Sequence, residues 1–371
     1  MSDEPLLRGA ASPRRVAVGV ALLALVGAGA AALVAAGNPG NMGLCGACFL
    51  RDLGGALGLI TPGPKGRPAA VRPELVGVML GALGLAVARG RFTARSGSHA
   101  ASRFVLGVWM GAGALVFLGC PFRMLQRLGG GDGNALVGLA GFVPGVLLGL
   151  AFERKGYTAG RTQPAPASVG LQGPLLFLLL LVAAEAGGLA AAPRPTSGGP
   201  PPRAPAALAL GVGLAAGAIL SATGFCAVNA ARQLVTKPRG MSFAALAFVA
   251  AYAAVAAATG RFSAGFAGQP VAHQDAWWNA LPMLLVGLAG ALGGGCPVRQ
   301  VVMAGEGNGD AFVATCGILV GGVVAHGVGA VSTADGSTPA GRLLVGIGLV
   351  WTVVYGVLAT AGARRAAPPP A

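Results

Sequence analysis

Ten apolar runs alternate with short polar connections along the chain, at about 16–36, 74–88, 104–119, 134–152, 173–192, 206–222, 241–259, 279–294, 311–330 and 341–361. A perpendicular crossing of a bilayer core needs roughly 20 apolar residues, with a range near 17–25. Only helices and closed barrels satisfy their backbone there. The pattern therefore predicts an all-α polytopic membrane protein with about 9–10 transmembrane helices. The runs beginning at Glu74, Phe104 and Asn279 are short, and each adjoins a Gly-rich stretch unlike a surface loop. Short or Gly-interrupted segments at matching places in two halves point to broken helices around a central site.

Composition excludes the other classes. Hydrophobic residues make up 54% of the 371 and charged residues 10%, with a mean hydropathy of +0.72. A soluble domain carries about a quarter charged residues. Disordered, collagen-like and disulfide-scaffold chains fail on apolar content, on the lack of a Gly-X-Y period and on six scattered cysteines. Two features need explaining: 65 glycines and a formal net charge of +15.

The basic residues do not call for nucleic acid. They lie in short connections, as the positive-inside rule requires. Ten crossings put both termini on one side, with Arg8, Arg14, Arg15, Arg364 and Arg365. That side also receives Arg89, Arg91, Arg95, Arg103, Arg154, Lys155, Arg161, Lys237 and Arg239, which assigns it to the cytoplasm. Lys65, Arg67 and Arg72 disagree, so either that segment re-enters or the first crossing is misread. The first run reads as a retained helix, without a cleavage site. The expected organisation is an N-terminal cytoplasmic segment (1–15), a first transmembrane repeat (16–160), a linking helix and Pro-rich linker (161–205), a second repeat (206–330), and a final helix with a disordered tail (331–371).

The two halves repeat each other. MGLCGACFLRDL (42–53) aligns with TGFCAVNAARQL (223–234), matching Gly43 with Gly224, Cys45 with Cys226, Arg51 with Arg232 and Leu53 with Leu234. GCPFRMLQRLGGGDGNALV (119–137) aligns with GCPVRQVVMAGEGNGDAFV (295–313), matching Cys120 with Cys296, Pro121 with Pro297 and Arg123 with Arg299. Between them, Gly90-Arg91-Phe92 matches Gly260-Arg261-Phe262. Matches in one order at similar offsets indicate duplication. Four crossings per half plus one linking helix make the second half start on the opposite side, an inverted repeat with its site near the midplane.

Each half thus supplies two Cys-bearing loops, expected to converge with Cys45, Cys120, Cys226 and Cys296 near one another. Irregular backbone at membrane depth lines a cavity or is buried in protein. Exposed amides at broken helix ends suit an anion, and a thiol is a weak donor that passes a soft anion without trapping it. Arg51, Arg123, Arg232 and Arg299 recur after the cysteines and either attract an anion or brace the loops through backbone carbonyls. Cys45-x-x-Cys48 also fits a redox pair, although the duplicate carries Asn229 in place of Cys48. No histidine accompanies the loops, so no metal or cofactor is expected. Cys316 reads as a small apolar residue, Asp132, Asn134, Asn308 and Asp310 as helix caps, Glu185 as a snorkelling carboxylate, and His99 and His273 as interfacial. His326 reads as a satisfied histidine and Trp277 and Trp278 as an interface belt.

The stretches GNPGNMGLCGACFLRDLGGALGL, RPELVGVMLGAL, FLGCPFRMLQRLGGGDGNALVGLAGF and GGGCPVRQVVMAGEGNGD resemble the YeeE/YedE family of sulfur-compound membrane transporters. They look most like the YedE branch, described as selenium transporters. The resemblance runs from about the first helix to Gly329. It implies an hourglass-like helical fold with buried central re-entrant loops, set in the bacterial inner membrane, and a transporter rather than an enzyme. The implied substrate is thiosulfate or a related sulfur or selenium anion, passed inward by central cysteines. Cys45, Cys120 and Cys296 match the family cysteines, and Cys226 is added by the internal repeat. A cytoplasmic sulfur-carrier protein is an implied partner. The alternative, from the residues alone, is a membrane thiol–disulfide oxidoreductase using Cys45 and Cys48.

Overall fold

The computed structural model describes residues 5–7, 12–60, 70–187 and 203–366. The expectations for Lys65, Arg67, residues 193–202 of the linker and the tail beyond residue 366 lie outside the described residues. In chain order the helices are α1 (Pro13–Ala35), α2 (Gly46–Ala56), α3 (Pro73–Ala88), α4 (Ala100–Phe117), α5 (Pro121–Gly129), α6 (Asn134–Arg154), α7 (Ala167–Glu185), α8 (Ala206–Thr223), α9 (Ala227–Arg232), α10 (Gly240–Ala258), α11 (Ala276–Leu292), α12 (Pro297–Gly305), α13 (Gly309–Gly327) and α14 (Pro339–Ala366). The only sheet among the described residues pairs two-residue strands, Arg95–Ser96 with Gln163–Pro164.

Among the described residues nine spans are long and apolar enough to cross a membrane, and α3 is a shorter apolar helix of 16 residues. Two of the nine are composite: Ala100–Gly129 joins α4 to α5 and Ala276–Gly305 joins α11 to α12, each 30 residues. At 1.5 Å per residue each would reach about 45 Å if continuous. Each is broken instead. Leu118, in the left-handed region at φ 64°, ends α4, and Gly294 and Gly295 at φ 85° and 159° follow α11. Pro121 and Pro297 then open the next helix at its first turn, where a missing N–H costs nothing.

Both halves therefore read long, short, long, long, short, long: α1–α6 and α8–α13. Their packing is reciprocal. α1 packs on α10 and α3 on α8, while α4 packs on α13 and α6 on α11. The glycines explain this closeness. A Cβ on Gly81 would stand 2.0 Å from Leu214 O, and one on Gly217 2.0 Å from Val78 O, so only hydrogen at these positions lets α3 and α8 backbones meet. Gly77 meets Leu210 as Gly81 meets Leu214, so the two helices run parallel.

Contacts sort the helix ends into two groups. One holds Leu7 beside the starts of α1 and α10, the end of α3 beside those of α8 and α12, and the α6 end beside α9 through Arg232–Glu153. The other joins the α1 end to Ala204, the α5–α6 turn to Ser263, and Asp275 to Ser337. α7 links the groups, from Gly170 beside Gly307 to Glu185 beside Arg203 at 3.9 Å. α14 returns from Ser337 to Gly356, which packs on Phe152 of α6. The start of α1 and the end of α14 thus belong to the same group of helix ends.

Several boundaries differ from the sequence reading. The linking helix is α7, Ala167–Glu185: it starts before the expected 173 because Pro174 is accommodated within it, and residues 188–192 of the expected run lie outside the described residues. Residues 362–366, read as tail, continue α14. His273 is buried rather than interfacial, with Nε2 3.0 Å from Val116 O.

Candidate functional site

The cysteines expected in loops sit at the start of the short helices. Cys45, Cys120, Cys226 and Cys296 are the N-cap residues of α2, α5, α9 and α12, respectively. Their backbones match in the pairs that the repeat aligned. Cys45 has φ −148°, ψ 124° and Cys226 φ −149°, ψ 128°. Cys120 has φ −79°, ψ 169° and Cys296 φ −69°, ψ 166°. An N-cap needs extended backbone with a side-chain acceptor facing the first turn. The Cys45 sulfur does this, accepting the Cys48 N–H at 3.3 Å.

All four thiols are buried and free. Within each half they meet. Cys45 Sγ lies 3.6 Å from Cys120 Sγ, and the Cys226 sulfur accepts the Cys296 N–H at 3.5 Å. The halves touch where α2 starts: a Cβ on Gly46 would be 2.9 Å from Val298 N and 3.0 Å from Pro297 C. Phe122 of α5 packs edge-on against Phe225, next to Cys226, with centroids 6.3 Å apart. Four helix starts, with amides that lack intrahelical acceptors, thus gather in the bundle interior. The void beside Cys45, walled by Phe49, Phe122, Leu220, Val298 and Val301, holds about 10 Å³, room for one water at most. Cys48 is buried in the first turn of α2, and Cys316 is half-buried on α13. Among the described residues no group of three or more His, Cys, Asp or Glu side chains could hold a metal ion.

The four repeated arginines have distinct partners. Arg123 is fully buried and donates to backbone carbonyls of Asn41 at 3.0 Å, Gly40 at 3.2 Å and Val271 at 3.4 Å, and also to Leu118. It braces the 36–45 loop against the α4–α5 break. Arg299 forms a bidentate pair with Glu306, 3.1 Å for each bond. Arg51 pairs with Asp52 at 2.8 Å and Arg232 with Glu153 at 2.6 Å. Arg72 pairs with the other Asp52 oxygen at 2.9 Å.

Other polar residues have an architectural share that the sequence reading missed. The Gln126 Oε1 accepts N–H bonds from Gly43 at 2.8 Å and Leu44 at 3.1 Å, and its Nε2 donates to Leu44 O. Gln300 Nε2 donates to Gly293 O at 3.0 Å and Gly295 O at 3.3 Å. Each glutamine holds the irregular backbone that leads to a cysteine. The signal was an uncharged amide next to arginine in a short segment, but the two occupy different positions in the repeat. Arg127, buried on the face of Phe117 at 4.2 Å, pairs with Asp132 at 2.6 Å and donates to Phe117 O at 2.8 Å, tying down the end of α4. Of the four expected caps, Asn308 caps its helix, accepting the Ala311 N–H at 3.1 Å, whereas the N-cap of α6 is Gly133: Asp132 before it accepts the Asn134 N–H at 2.9 Å, and Asn134 is the first residue of the helix. Asp310 instead gathers Ser96, Gly97 and Ser98 of the 95–98 turn.

Compared with known proteins, the chain matches no family model and no curated protein. The YeeE/YedE resemblance therefore rests on the motifs quoted above.

Proposed function

We propose that this chain is a permease that imports a small sulfur- or selenium-containing anion, such as thiosulfate or a selenium compound, across a bacterial inner membrane. The observation that carries the reading is the meeting of four Cys-capped helix starts, two from each half, in a buried and nearly void-free centre. A desolvated anion is costly inside a bilayer unless donors replace its water. Helix-start amides supply a positive end, and thiols supply weak donors that release as easily as they bind.

The reciprocal pairing of helices and the matching cap angles support two inverted repeats about a pseudo-twofold axis in the membrane plane. In that arrangement α2 re-enters from the side where α1 ends, and α9 from the opposite side. The side that carries the start of α1, the end of α14, Arg89, Arg103, Arg154 and Lys237 is the cytoplasmic one by the positive-inside rule. An anion would pass from the Cys45–Cys120 pair to the Cys226–Cys296 pair and leave inward, where a sulfur-carrier protein could receive it. The chain then acts as a transporter and not as an enzyme.

Uptake of labelled thiosulfate and selenite into vesicles tests this reading. Uptake should collapse for Cys45→Ala, Cys120→Ala or Cys296→Ala at unchanged protein level. Normal uptake in all three would sink the relay. A requirement for Cys48, with a trapped Cys45–Cys48 disulfide during turnover, would favour the oxidoreductase instead.

A further inference from the structure

A cavity of about 400 Å³ lies between α5, α6, α9 and α10. Its lining is apolar except for Ser242, whose hydroxyl already donates to Ala230 O at 2.8 Å. The lining side chains therefore offer hydrocarbon alone. Met124 and Phe142 are buried at its floor, whereas Leu136, Leu234 and Leu246 stand 58%, 50% and 65% exposed at its rim. Both α6 and α10 are long and apolar enough to span a membrane, so this rim faces the bilayer interior.

The duplication shows what covers the corresponding face elsewhere in the chain. On the alignment of the repeats, α10, α5 and α6 correspond to α3, α12 and α13, and these are the helices on which α7 packs. Gly173 of α7 rests on the ring of Phe312, the counterpart of Leu136; a Cβ there would stand 2.9 Å from that ring. Val76 and Leu53, the counterparts of Leu246 and Leu234, are only 2% and 4% exposed. Among the described residues no helix outside the repeats packs on all of α5, α6 and α10. One face is thus covered by the linking helix, and its counterpart is left as an open groove.

One end of that groove is basic. Leu234 and Ser242 both line it, and the 235–241 connection between them carries Lys237 and Arg239, both exposed. Ser242 is the third residue of α10, so this end of the groove lies at the end of the membrane-spanning stretch. Arg154 ends α6 on the same side, where Glu153 pairs with Arg232 of α9 at 2.6 Å. No ion pair holds Arg154, Lys237 or Arg239 among the described residues. From Ala186 to Gln274 the chain contains no Asp or Glu. Exposed cations at the mouth of an apolar groove between membrane helices complement a lipid phosphate above its acyl chain.

We propose that this groove is a binding site for one anionic phospholipid, with an acyl chain between α6 and α10 and its phosphate at Lys237, Arg239 and Arg154. A docked helix would cover the apolar face but would leave the three cations without a counter-charge. The lipid packs on α5 and α9, the short helices that Cys120 and Cys226 cap. The site rests on the membrane reading and is independent of the transport reading.

The test is native mass spectrometry of the full-length protein in detergent, after incubation with phosphatidylglycerol or with phosphatidylcholine of the same acyl chains. One phosphatidylglycerol should stay bound at concentrations where phosphatidylcholine has left. Lys237→Gln with Arg239→Gln should weaken phosphatidylglycerol about tenfold. Arg89→Gln, at the end of α3, should leave it unchanged. Ala245→Phe puts a ring into the groove and should abolish retention, and thermal unfolding of the same samples checks that each variant folds. Equal retention of the two lipids overturns the site, as does phosphatidylglycerol binding that survives both the charge and the groove variants. A dimer that forms without lipid and is broken by Ala245→Phe would put a second copy in the groove and overturn it too. Lipid retention with the expected sensitivities, in a protein that takes up no anion, would leave the site standing and sink the transport reading.

Discussion

Replacing Arg123 separates bracing from anion attraction. Its guanidinium is fully buried, has no carboxylate within ion-pair distance among the described residues, and serves carbonyls of Gly40, Asn41, Leu118 and Val271. Each buried acceptor left without a donor costs about 1–3 kcal/mol. Removing the charge recovers part of its desolvation penalty, so the net loss for Arg123→Ala should be about 3–5 kcal/mol. Against a total stability of about 5–15 kcal/mol that is a large fraction. The comparator is Arg232→Ala, which breaks a partly exposed pair with Glu153 and should cost about 0–1 kcal/mol. A thiol-reactive fluorogenic dye in a thermal ramp reads unfolding directly, because the central thiols are buried until the bundle opens. Arg123→Ala should melt roughly 6 °C or more below wild type, and Arg232→Ala within about 2 °C. Arg123→Lys keeps the charge but loses the fork. If Arg123 braces, the Lys variant is also destabilised. Equal melting of the Arg123→Ala and Arg232→Ala proteins, or full stability of Arg123→Lys, would refute the argument.

Two further outcomes follow from packing and burial. Gly217→Ala places a methyl 2.0 Å from Val78 O and should cost about 1–3 kcal/mol. Gly211→Ala, on the same helix with nothing within 4 Å, should be neutral or stabilising by up to about 1 kcal/mol, and paired melting curves check both. His273, in the 259–275 connection, has its pKa pushed below 6.5 by burial. The unfolded chain then binds more protons as pH falls below 6.5. Stability is complete above that value and declines as pH drops toward the lower folded pKa. Melting temperatures measured between pH 7.5 and 5 should show this decline, and His273→Gln should flatten it.

The long helices were legible because hydropathy alone decides them. Each of the ten apolar runs overlaps one long helix, α1, α3, α4, α6, α7, α8, α10, α11, α13 or α14. The short helices were not, since segments of 6–11 residues make too few turns to be told from loops by hydropathy; they read as loops. Even so, aligning Cys45 with Cys226 and Cys120 with Cys296 was enough to pair the caps that share backbone angles. The arginine roles stayed open in the sequence because they depend on where carbonyls 40, 41 and 118 lie. The glutamines were hidden by the repeat itself: Gln126 aligns with Val302 and Gln300 with Met124, so each half solves the bracing problem from a different position.

Among the places where the halves meet through backbone, one lies at the thiols. Gly46 opens α2 directly after Cys45, and its missing side chain lets that turn rest on the Pro297–Val298 backbone directly after Cys296. A methyl there would meet main-chain atoms at 2.9–3.0 Å, and main chain cannot rotate away as a long side chain can. Gly46→Ala must therefore push α2 and α12 apart by a few tenths of an ångström or more, at a cost of about 1–3 kcal/mol. The void beside Cys45 is only about 10 Å³, so on the proposed transport reading an anion would cross only when these two helix starts separate. A wedge at the hinge of that separation should change the function more than the fold. Gly46→Ala protein should reach the membrane and melt within about 6 °C of wild type. Its central thiols should be modified faster by a small maleimide, and uptake should be altered at least several-fold. Wild-type labelling rates together with wild-type uptake would show that the α2–α12 contact does not close the pathway.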